Sequence, residues 1–380
     1  MQAKVSIVKC EDYSKVKKAV EKSLFLIGGL DNLIKENDKV LLKVNLLSAN
    51  KPEEAVTTHP SIVEAMIDLV RNCKGIPIVG DSSGTIEAGG TAKAYEVSGI
   101  KKVVEDKGAE FINFETAGFE KINVPNAMQL SEIYLAKPIL DADIIISLPK
   151  LKTHALTLYT GAVKNFFGCV PHKIRKTAHL LANKNIFGEA VIDIYSVSKP
   201  SLAVMDAVVG MEGNGPSGGD PKKVGLIVAS YDCVALDFVV PKIIGFDPIE
   251  VPTNVAAIKK GIGFKSIGEI QVLGENIDAV QVEFKKPSSI PSLLPSFVSR
   301  LLMNFVSVKP HINKSKCKKC NICFNNCPAN AIDIGVDKTL KINNKVCIQC
   351  YCCHELCPHI AVDLKRSLLL EIYVKIQNYH

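Results

Sequence analysis

The C-terminal part of the chain contains two copies of one cysteine pattern, C-x2-C-x2-C-x3-C-P. The first copy begins at Cys317 and the second at Cys347, and the two copies align without a gap. Within each copy the first three cysteines are close enough in sequence to bind one inorganic centre. A short helix separates the fourth cysteine, which precedes a proline, from the other three. The fourth thiolate of each copy is therefore expected to bind the centre of the other copy.

This spacing is typical of bacterial ferredoxins that hold two 4Fe-4S clusters. The predicted ligands are Cys317, Cys320, Cys323 and Cys357 for the first cluster and Cys347, Cys350, Cys353 and Cys327 for the second. Structural zinc sites favour a longer interval or a histidine, and disulfide frameworks favour short secreted chains, so both alternatives are disfavoured. Cys352 lies off the spacing, and we expect it to be a free thiol or a replacement ligand.

Length and hydrophobicity indicate a folded protein without a membrane span. The 380 residues suit one large domain or two medium ones beside a ferredoxin module of about 60 residues. The chain contains no apolar run of membrane-spanning length, and its first residues lack the form of a signal peptide. Five cysteines lie outside the cluster pattern without evident pairing. These features predict a cytoplasmic protein, and the clusters point to anaerobic conditions.

The net charge does not indicate a nucleic-acid partner. The formal charge is +7, but the lysines are spread along the chain and aromatic residues are few. Each oxidised cluster with four thiolates adds about −2, so the loaded protein would carry only about +3. We therefore expect no nucleic-acid binding.

Strand-like and helix-like patterns alternate over most of the chain. Predicted strands cover residues 4–8, 40–47, 76–79, 202–209 and 224–229, with others near 111 and ending at 148; predicted helices cover 16–27, 62–73 and 235–244. Ser61 and Glu64 are expected to form a capping box for the second helix. The alternation predicts an α/β fold with a mostly parallel sheet and helices on both faces. A small α+β ferredoxin-like domain should follow at the C-terminus.

The predicted domain organisation has four parts. Residues 1–284 form an α/β ligand-binding domain, 285–310 a Pro/Ser linker with an amphipathic helix, 311–365 the two-cluster ferredoxin domain, and 366–380 a tail. The amphipathic helix is expected to dock on the large domain, with a membrane-surface helix as the alternative.

Polar side chains cluster where the predicted strands end, and this is the edge at which open α/β sheets bind ligands. No Walker A motif and no helix-opening G-x-G-x-x-G is present. The predicted ligand-binding residues are Lys43, Asn45, His59, Asp81, Ser82, Ser83, Lys150, Lys152, Gly161, Asn165 and Asn214, and the predicted catalytic residues are His154 and Lys164. Each residue alone has an ordinary structural explanation. Together, the lysines and glycines favour a phosphate- or carboxylate-bearing ligand, with His154 moving a proton.

The segments SLPKLKTH, TGAVKNFFG, MEGNGP and ASYDCVALD resemble domain-of-unknown-function family 362, whose members often carry a C-terminal ferredoxin module. The resemblance covers nearly the whole chain and implies no established reaction. The site residues that it implies are Lys43, Asn45, His59, Lys150, Lys152, His154, Lys164, Asn165, Asn214 and Asp237.

A second resemblance is narrower. His154, Gly161 and Lys164 are similar to the H-x6-G-x2-K pattern of nickel-pincer lactate racemases, in which the histidine is catalytic and the lysine holds the cofactor. The segment TTHPS is similar to that family's T-R-P segment. GDSSG lies where the family carries a second catalytic histidine, which this chain lacks. The resemblance therefore favours a shared ligand-binding architecture over two-base racemisation.

These features support three functional hypotheses. The first is an anaerobic oxidoreductase in which the clusters exchange electrons with an anionic ligand of the α/β domain. A redox partner protein would exchange electrons with the clusters. The second is an electron carrier whose large domain only docks that partner. The third is a racemase-like or cofactor-assembly enzyme whose clusters are regulatory or structural.

Overall fold

A computed structural model describes residues 2–84, 90–171, 174–175, 178, 183–288, 308–325, 327, 330–347, 352–355 and 357–366. Its main feature is a ten-stranded sheet. The strands of that sheet are β1 (Ala3–Lys9), β2 (Lys39–Val44), β3 (Ile76–Asp81), β4 (Glu110–Asn113), β7 (Ile144–Leu148), β8 (Lys150–His154), β9 (Leu158–Thr160), β10 (Leu202–Glu212), β11 (Asp220–Ser230) and β12 (Ile270–Gly274). A separate hairpin joins β5 (Phe119–Asn123) to β6 (Glu132–Ala136).

The sheet is mixed but mostly parallel. Its order is β12-β1-β11-β10-β7-β2-β3-β4, with β8 beside β10 and β9 beside β8. Strands β2, β3, β4, β7 and β10 pair in parallel, as do β1 with β12 and β8 with β10. Strand β11 is antiparallel to both β1 and β10, and β9 is antiparallel to β8. The carboxyl ends of β2, β3 and β7 therefore meet at one edge.

Helices cover both faces of the sheet, which confirms the predicted fold class. They are α1 (Val16–Ile27), α2 (Pro60–Asn72), α3 (Gly90–Val97), α4 (Ile100–Asp106), α5 (Phe114–Ala117), α6 (Lys137–Asp141), α7 (Ala162–Asn165), α8 (Lys184–Ser198), α9 (Cys233–Ile243) and α10 (Pro252–Lys259). Side chains alternate along β2: Val40 and Leu42 pack with α1 and α2, whereas Leu41 packs in the core that contains α8 and α9. The sheet thus separates two apolar cores.

The N-terminus of α2 differs from the prediction. The helix begins at Pro60, and Nδ1 of His59 accepts the hydrogen bond of the Ser61 amide at 3.2 Å. The predicted capping box of Ser61 and Glu64 is therefore wrong. Proline favours the first helical position because its fixed φ fits the helix and it has no N–H to satisfy. This preference moves the cap to the preceding residue.

The first residues of the predicted linker contact the large domain. The amide of Lys285 donates to Oε2 of Glu212 at 3.0 Å, and the amide of Ser288 donates to Oδ1 of Asn214 at 2.9 Å. Residues 289–307, which include the predicted amphipathic helix, and nearly all of the tail lie outside the described residues, whereas 308–310 belong to a strand of the C-terminal module. The domain boundaries therefore stay predictions.

The C-terminal module is built from two antiparallel strand pairs and two short helices. Strand β13 (Val308–Ile312) pairs with β16 (Val362–Arg366), and β14 (Ile332–Ile334) pairs with β15 (Leu340–Ile342). Helices α11 (Ile322–Asn325) and α12 (Cys352–Glu355) each carry a predicted cluster ligand. This arrangement confirms the small α+β ferredoxin-like domain. Within the described part of the chain, no helix is both long enough and apolar enough for a membrane crossing.

Candidate functional site

The four cysteines predicted for the first cluster line one cavity. Cys317, Cys320 and Cys323 come from the first copy, and Cys357 comes from the second. The wall of this cavity also includes Ile312, Leu340 and Val362. Among the described residues, no three or more His, Cys, Asp or Glu side chains are arranged to hold a metal ion between them. The thiols instead surround a space, as a polynuclear cluster requires.

The electrostatics of these thiols fit a cationic centre. Burial, and after it the charge on Cys357, Cys320 and Cys317, raises the pKa of the Cys323 thiol to about 12. Four thiolates crowded in this way need a strong positive charge between them, which iron supplies. The Ala361 amide donates to the sulfur of Cys357 at 3.2 Å, and such bonds tune the potential of iron–sulfur clusters.

The second predicted set is described in part. Cys353 is buried, while Cys327 and Cys347 are half-buried. The Ala331 amide donates to the sulfur of Cys327 at 3.1 Å, and this bond repeats, thirty residues earlier, the one at Cys357. Cys350 and the side chain of Cys352 lie outside the described residues. The internal repeat of the sequence is therefore visible as a repeat of the ligand environment.

At the strand ends of the large domain, Lys43 and Asp81 form a buried ion pair. Lys43 Nζ lies 2.7 Å from Oδ1 of Asp81 and also donates to the Val44 carbonyl at 2.8 Å. The parallel pairing of β2 and β3 sets Lys43 beside Gly80, the residue before Asp81. Burial raises the pKa of Asp81, and the Lys43 ammonium opposes that rise. The charge of Lys43 is thus matched within the protein.

Ser82 and Ser83, which follow β3, contact a buried arginine. Arg175 Nη1 donates to the Ser83 carbonyl at 2.7 Å, and Nη2 donates to the Gly168 carbonyl at 2.9 Å and to Oγ of Ser82. Oγ of Ser82 itself donates to the Gly168 carbonyl at 2.7 Å. Arg175 therefore joins the GDSSG segment to the end of TGAVKNFFG.

A second network joins Lys152, Asn45 and Asn165. Lys152 Nζ donates to Oδ1 of Asn45 and to the Val56 carbonyl, both at 2.8 Å. Nδ2 of Asn45 donates to Oδ1 of Asn165 at 3.3 Å, and Nδ2 of Asn165 donates to the Lys43 carbonyl at 3.0 Å. The predicted residues of three separate motifs are thus in contact.

A third network surrounds Lys150. Its Nζ lies 2.9 Å from Oδ2 of Asp206 and donates to the Tyr13 hydroxyl at 2.8 Å. The Tyr13 ring stacks on His59 with 3.5 Å between ring centroids, and the His59 amide donates to Oδ2 of Asp206 at 3.0 Å. Burial lowers the pKa of His59 to about 4, so this imidazole is neutral at neutral pH. Burial also lowers the pKa of Lys150, and Asp206 opposes that change.

His154 and Lys164 both lie beside the Phe187 ring. The His154 ring stacks on Phe187 at a centroid distance of 6.2 Å, and Lys164 Nζ lies 5.8 Å from the centroid of the same ring. Nδ1 of His154 accepts the amides of Leu156 and Thr157 at 3.0 and 3.1 Å. Because Nδ1 accepts two hydrogen bonds, the neutral ring carries its proton on Nε2.

Gly161 has a packing role beside Asp237. A Cβ at Gly161 would lie 2.0 Å from Oδ1 of Asp237 and 2.1 Å from the Tyr159 hydroxyl oxygen. The amides of Ala162 and Val163 donate to Asp237 at 2.7 and 2.9 Å. Burial raises the pKa of Asp237 to about 7. Only glycine lets this carboxyl approach the start of α7.

Asn214 lies where the large domain meets the C-terminal module. Nε2 of His354, in α12, is 3.0 Å from the Asn214 carbonyl oxygen, and Nδ1 is 2.7 Å from the Val362 carbonyl oxygen. Oγ1 of Thr153 donates to the Gly213 carbonyl at 2.8 Å. The loop between β10 and β11 therefore connects the β8 strand that ends at His154 to the second cysteine copy.

The predicted site residues thus fall into several linked buried networks. Four residues of these networks were not predicted from the sequence: Tyr13, Arg175, Asp206 and His354. Asp206 carried a usable signal, because a single carboxylate in the apolar strand LAVMDAVV requires a partner. His354 lies inside the second cysteine copy, and the cysteine spacing assigns no role to it. Tyr13 and Arg175 belong to no motif.

Comparisons with known proteins identify the two parts of the chain. The model of the family described as domain of unknown function (DUF362) matches residues 40–242, and that of a 4Fe-4S binding domain matches residues 309–332. A thylakoid-associated protein of Synechocystis sp. is 34% identical over 299 residues, which cover 76% of this chain and 91% of that protein.

A solved structure with some likeness is the lactate racemase apoprotein from Thermoanaerobacterium thermosaccharolyticum. It has a TM-score of 0.42 and 12% identity over 63% of this chain, and the match spans 57% of the length of that chain. Such a likeness is too weak to support an inference, and the resemblance to lactate racemases stays a prediction. The family match and the relative both cover the α/β region, and on that basis the chain belongs to the DUF362 family and carries a 4Fe-4S binding domain.

Proposed function

We propose that this chain transfers electrons through two 4Fe-4S clusters to or from an anionic substrate or cofactor held in the α/β domain, and that it is an oxidoreductase. The observation that carries the proposal is the cavity lined by Cys317, Cys320, Cys323 and Cys357. Three of these thiols come from one copy of the pattern and the fourth from the other. This crossed set is the one expected for a two-cluster ferredoxin.

The α/β domain supplies side chains suited to an anion. The charges of Lys43 and Lys150 are matched by Asp81 and Asp206. Lys152 donates to the neutral oxygens of Asn45 and Val56, and Lys164 lies over aromatic rings. An ammonium group whose neighbours include neutral oxygens or rings can still bind a phosphate or carboxylate by charge.

His154 is placed to act on such a ligand through Nε2. Its Nδ1 accepts two backbone amides, so Nε2 holds the proton of the neutral ring. The ring and the Lys164 ammonium both lie near the Phe187 ring. In this proposal Lys164 binds the anion and His154 donates a hydrogen bond or a proton to it. An iron–sulfur cluster supplies electrons one at a time. A side chain of the protein must then transfer the proton that accompanies the electrons.

The contact through Asn214 supports coupling between the two parts. The second cysteine copy meets the loop whose Gly213 carbonyl is bonded by Thr153, the neighbour of His154. A module that served only as an independent carrier would not require this contact with the strand that bears the predicted catalytic histidine.

The test is anaerobic purification followed by mass spectrometry of any released small molecule. The protein would then be reduced chemically, and its visible absorbance followed as that molecule is added back. The proposal expects reoxidation on addition, and slower reoxidation in His154→Asn. Reduced protein that is unchanged by its own co-purified molecule would refute the oxidoreductase and favour the carrier.

A further inference from the structure

The second cysteine copy contacts the large domain through His354. His354 and Cys353 of the second copy are buried. His354 Nε2 lies 3.0 Å from the Asn214 carbonyl oxygen, and a Cβ at Gly218 would lie 2.8 Å from Cε1 of His354. The loop between β10 and β11 therefore packs closely on this copy.

Part of the first copy is exposed and basic, although Ile322 and Cys323 are buried. Cys320, a predicted cluster ligand, is exposed. Four exposed lysines, here called the lysine face, flank it: Lys314, Lys316, Lys318 and Lys319. Residues 313–325 contain no aspartate or glutamate. Two carboxylates lie nearby: Lys316 Nζ is 3.9 Å from Oδ1 of the partly exposed Asp363, a weak contact, and the charge of Lys319 contributes to the lowered pKa of Asp337, after the hydrogen bonds from Thr339.

An exposed apolar side chain lies next to this face. Lys319 Nζ donates to the Asp337 carbonyl at 3.0 Å, which holds the turn of residues 335–338 against the lysine face. Val336 in that turn is fully exposed. A basic surface beside an exposed apolar residue is typical of a protein-binding surface, since charge guides the encounter and apolar contact retains the partner.

We propose that the lysine face docks an acidic one-electron carrier protein of the ferredoxin or flavodoxin class. This deepens the proposed function, on which its redox meaning rests. In each encounter one electron passes from the carrier to the chain. The carrier is oxidised, the chain is reduced, and no bond forms or breaks. The side of the module that carries the second copy then faces the large domain, and the first copy receives the electron.

A protein is favoured over an anionic membrane or a nucleic acid because of where the lysines lie. They flank an exposed ligand of the predicted cluster in sequence, and Lys318 lines the cysteine cavity, so whatever binds there covers an exposed point next to that cluster. A lipid or phosphate backbone would cover that point without exchanging an electron. The formal charge of +7 over the whole chain alone would not distinguish these partners.

The experiment measures binding of an acidic plant-type 2Fe-2S ferredoxin to the anaerobically purified full chain by calorimetry, from low to high salt. The variant reverses three charges: Lys314→Glu, Lys316→Glu and Lys318→Glu. We expect the Kd to rise at least tenfold at low salt, and to approach the wild-type value at high salt, where surface charges are screened. A second variant carries Gln at the same three positions and should show a smaller rise.

The matched control reverses three exposed lysines of the large domain, Lys18, Lys22 and Lys35, which changes the net charge equally. Its Kd should stay within twofold of wild type. Equal weakening in control and variant would show attraction by net charge alone and overturn the proposal. So would unaltered binding by both lysine-face variants, or binding only to vesicles of anionic phospholipid.

Iron and sulfide content, measured on the same samples, separates this proposal from the proposed function. Variants that keep wild-type iron but lose ferredoxin binding support the docking surface. A chain that binds ferredoxin through the lysine face but contains no iron would refute the proposed function while the docking surface stands.

Discussion

The strand ends of the α/β domain and the cysteine cavity of the C-terminal module satisfy their polar groups in different ways. At the strand ends, Lys43 pairs with Asp81 and Lys150 with Asp206, and all four side chains are almost fully buried. In the module, the thiols converge on a cavity rather than on protein charges.

This difference separates a preformed site from one that depends on a bound group. Buried ion pairs with hydrogen-bonded partners keep their geometry without a ligand. Clustered thiols, among which Cys323 has a raised pKa, need a metal to hold them together as thiolates. We therefore expect the α/β domain to fold without iron and the module to require it.

The largest expected effect is on iron content. Cys357→Ser should reduce iron and acid-labile sulfide from about eight to about four per chain, because one ligand of the first cluster is lost. The electron paramagnetic resonance spectrum of the reduced variant should match that of Cys317→Ser and differ from that of Cys353→Ser.

The matched control for these variants is Cys73→Ser, a half-buried cysteine outside the pattern, which should keep all of the iron. If the spectrum of Cys357→Ser instead matched that of Cys353→Ser, the crossed ligand assignment would be wrong.

The next effect is on the free energy of unfolding. Asp206→Ala leaves the Lys150 ammonium buried without its carboxylate, which should lower the free energy of unfolding by about 3–5 kcal/mol. Glu36→Ala removes an exposed ion pair with Lys74 and should change it by less than about 1 kcal/mol. Urea unfolding followed by circular dichroism measures both, and equal losses would contradict the structural role of the Lys150 network.

A smaller effect concerns pH. Burial raises the pKa of Asp237 from an ordinary 3.8 to about 7, so the folded chain binds this proton more tightly than the unfolded chain. Its contribution to stability is full below about pH 4, declines between about pH 4 and 7 with a slope of up to about 1.4 kcal/mol per pH unit, and is absent above. Asp237→Asn should remove that slope. Parallel stability curves for wild type and variant would contradict this assignment.

The smallest effect is on ligand binding. Lys164→Ala should weaken binding of the co-purified anion at least tenfold, because a charge-assisted hydrogen bond contributes about 1.5–3 kcal/mol. Iron content should not change, since Lys164 lies over Phe167 and Phe187 in the large domain. Titration calorimetry on the stripped protein gives the affinity, and an unchanged Kd would remove Lys164 from the ligand site.

The fold could be predicted from sequence where one local signal dominates. The predicted range of α1, residues 16–27, is confirmed, and the helix ends just before Gly28, whose φ of 127° only glycine adopts readily. The cap of α2 was predicted wrongly because two local signals competed there. The antiparallel pairing of β10 with β11 depends on contacts distant in sequence, which hydrophobic periodicity does not encode.

The site was predictable only as a set of residue types. Motifs at strand ends identified Lys43, Asn45 and Asn165, and the parallel sheet brings them into one network. The pairing of Lys150 with Asp206 and Tyr13 could not be predicted, because both residues are far from Lys150 in sequence and belong to no motif. The cysteine spacing carried more information, since it specifies ligands and their crossing together.

We propose that the cysteines of both copies hold two 4Fe-4S clusters. The most direct test is the iron, zinc and acid-labile sulfide content of the full chain purified without oxygen. We expect about eight iron atoms and about eight sulfide ions per chain, with little zinc. Stoichiometric zinc with little sulfide would contradict it.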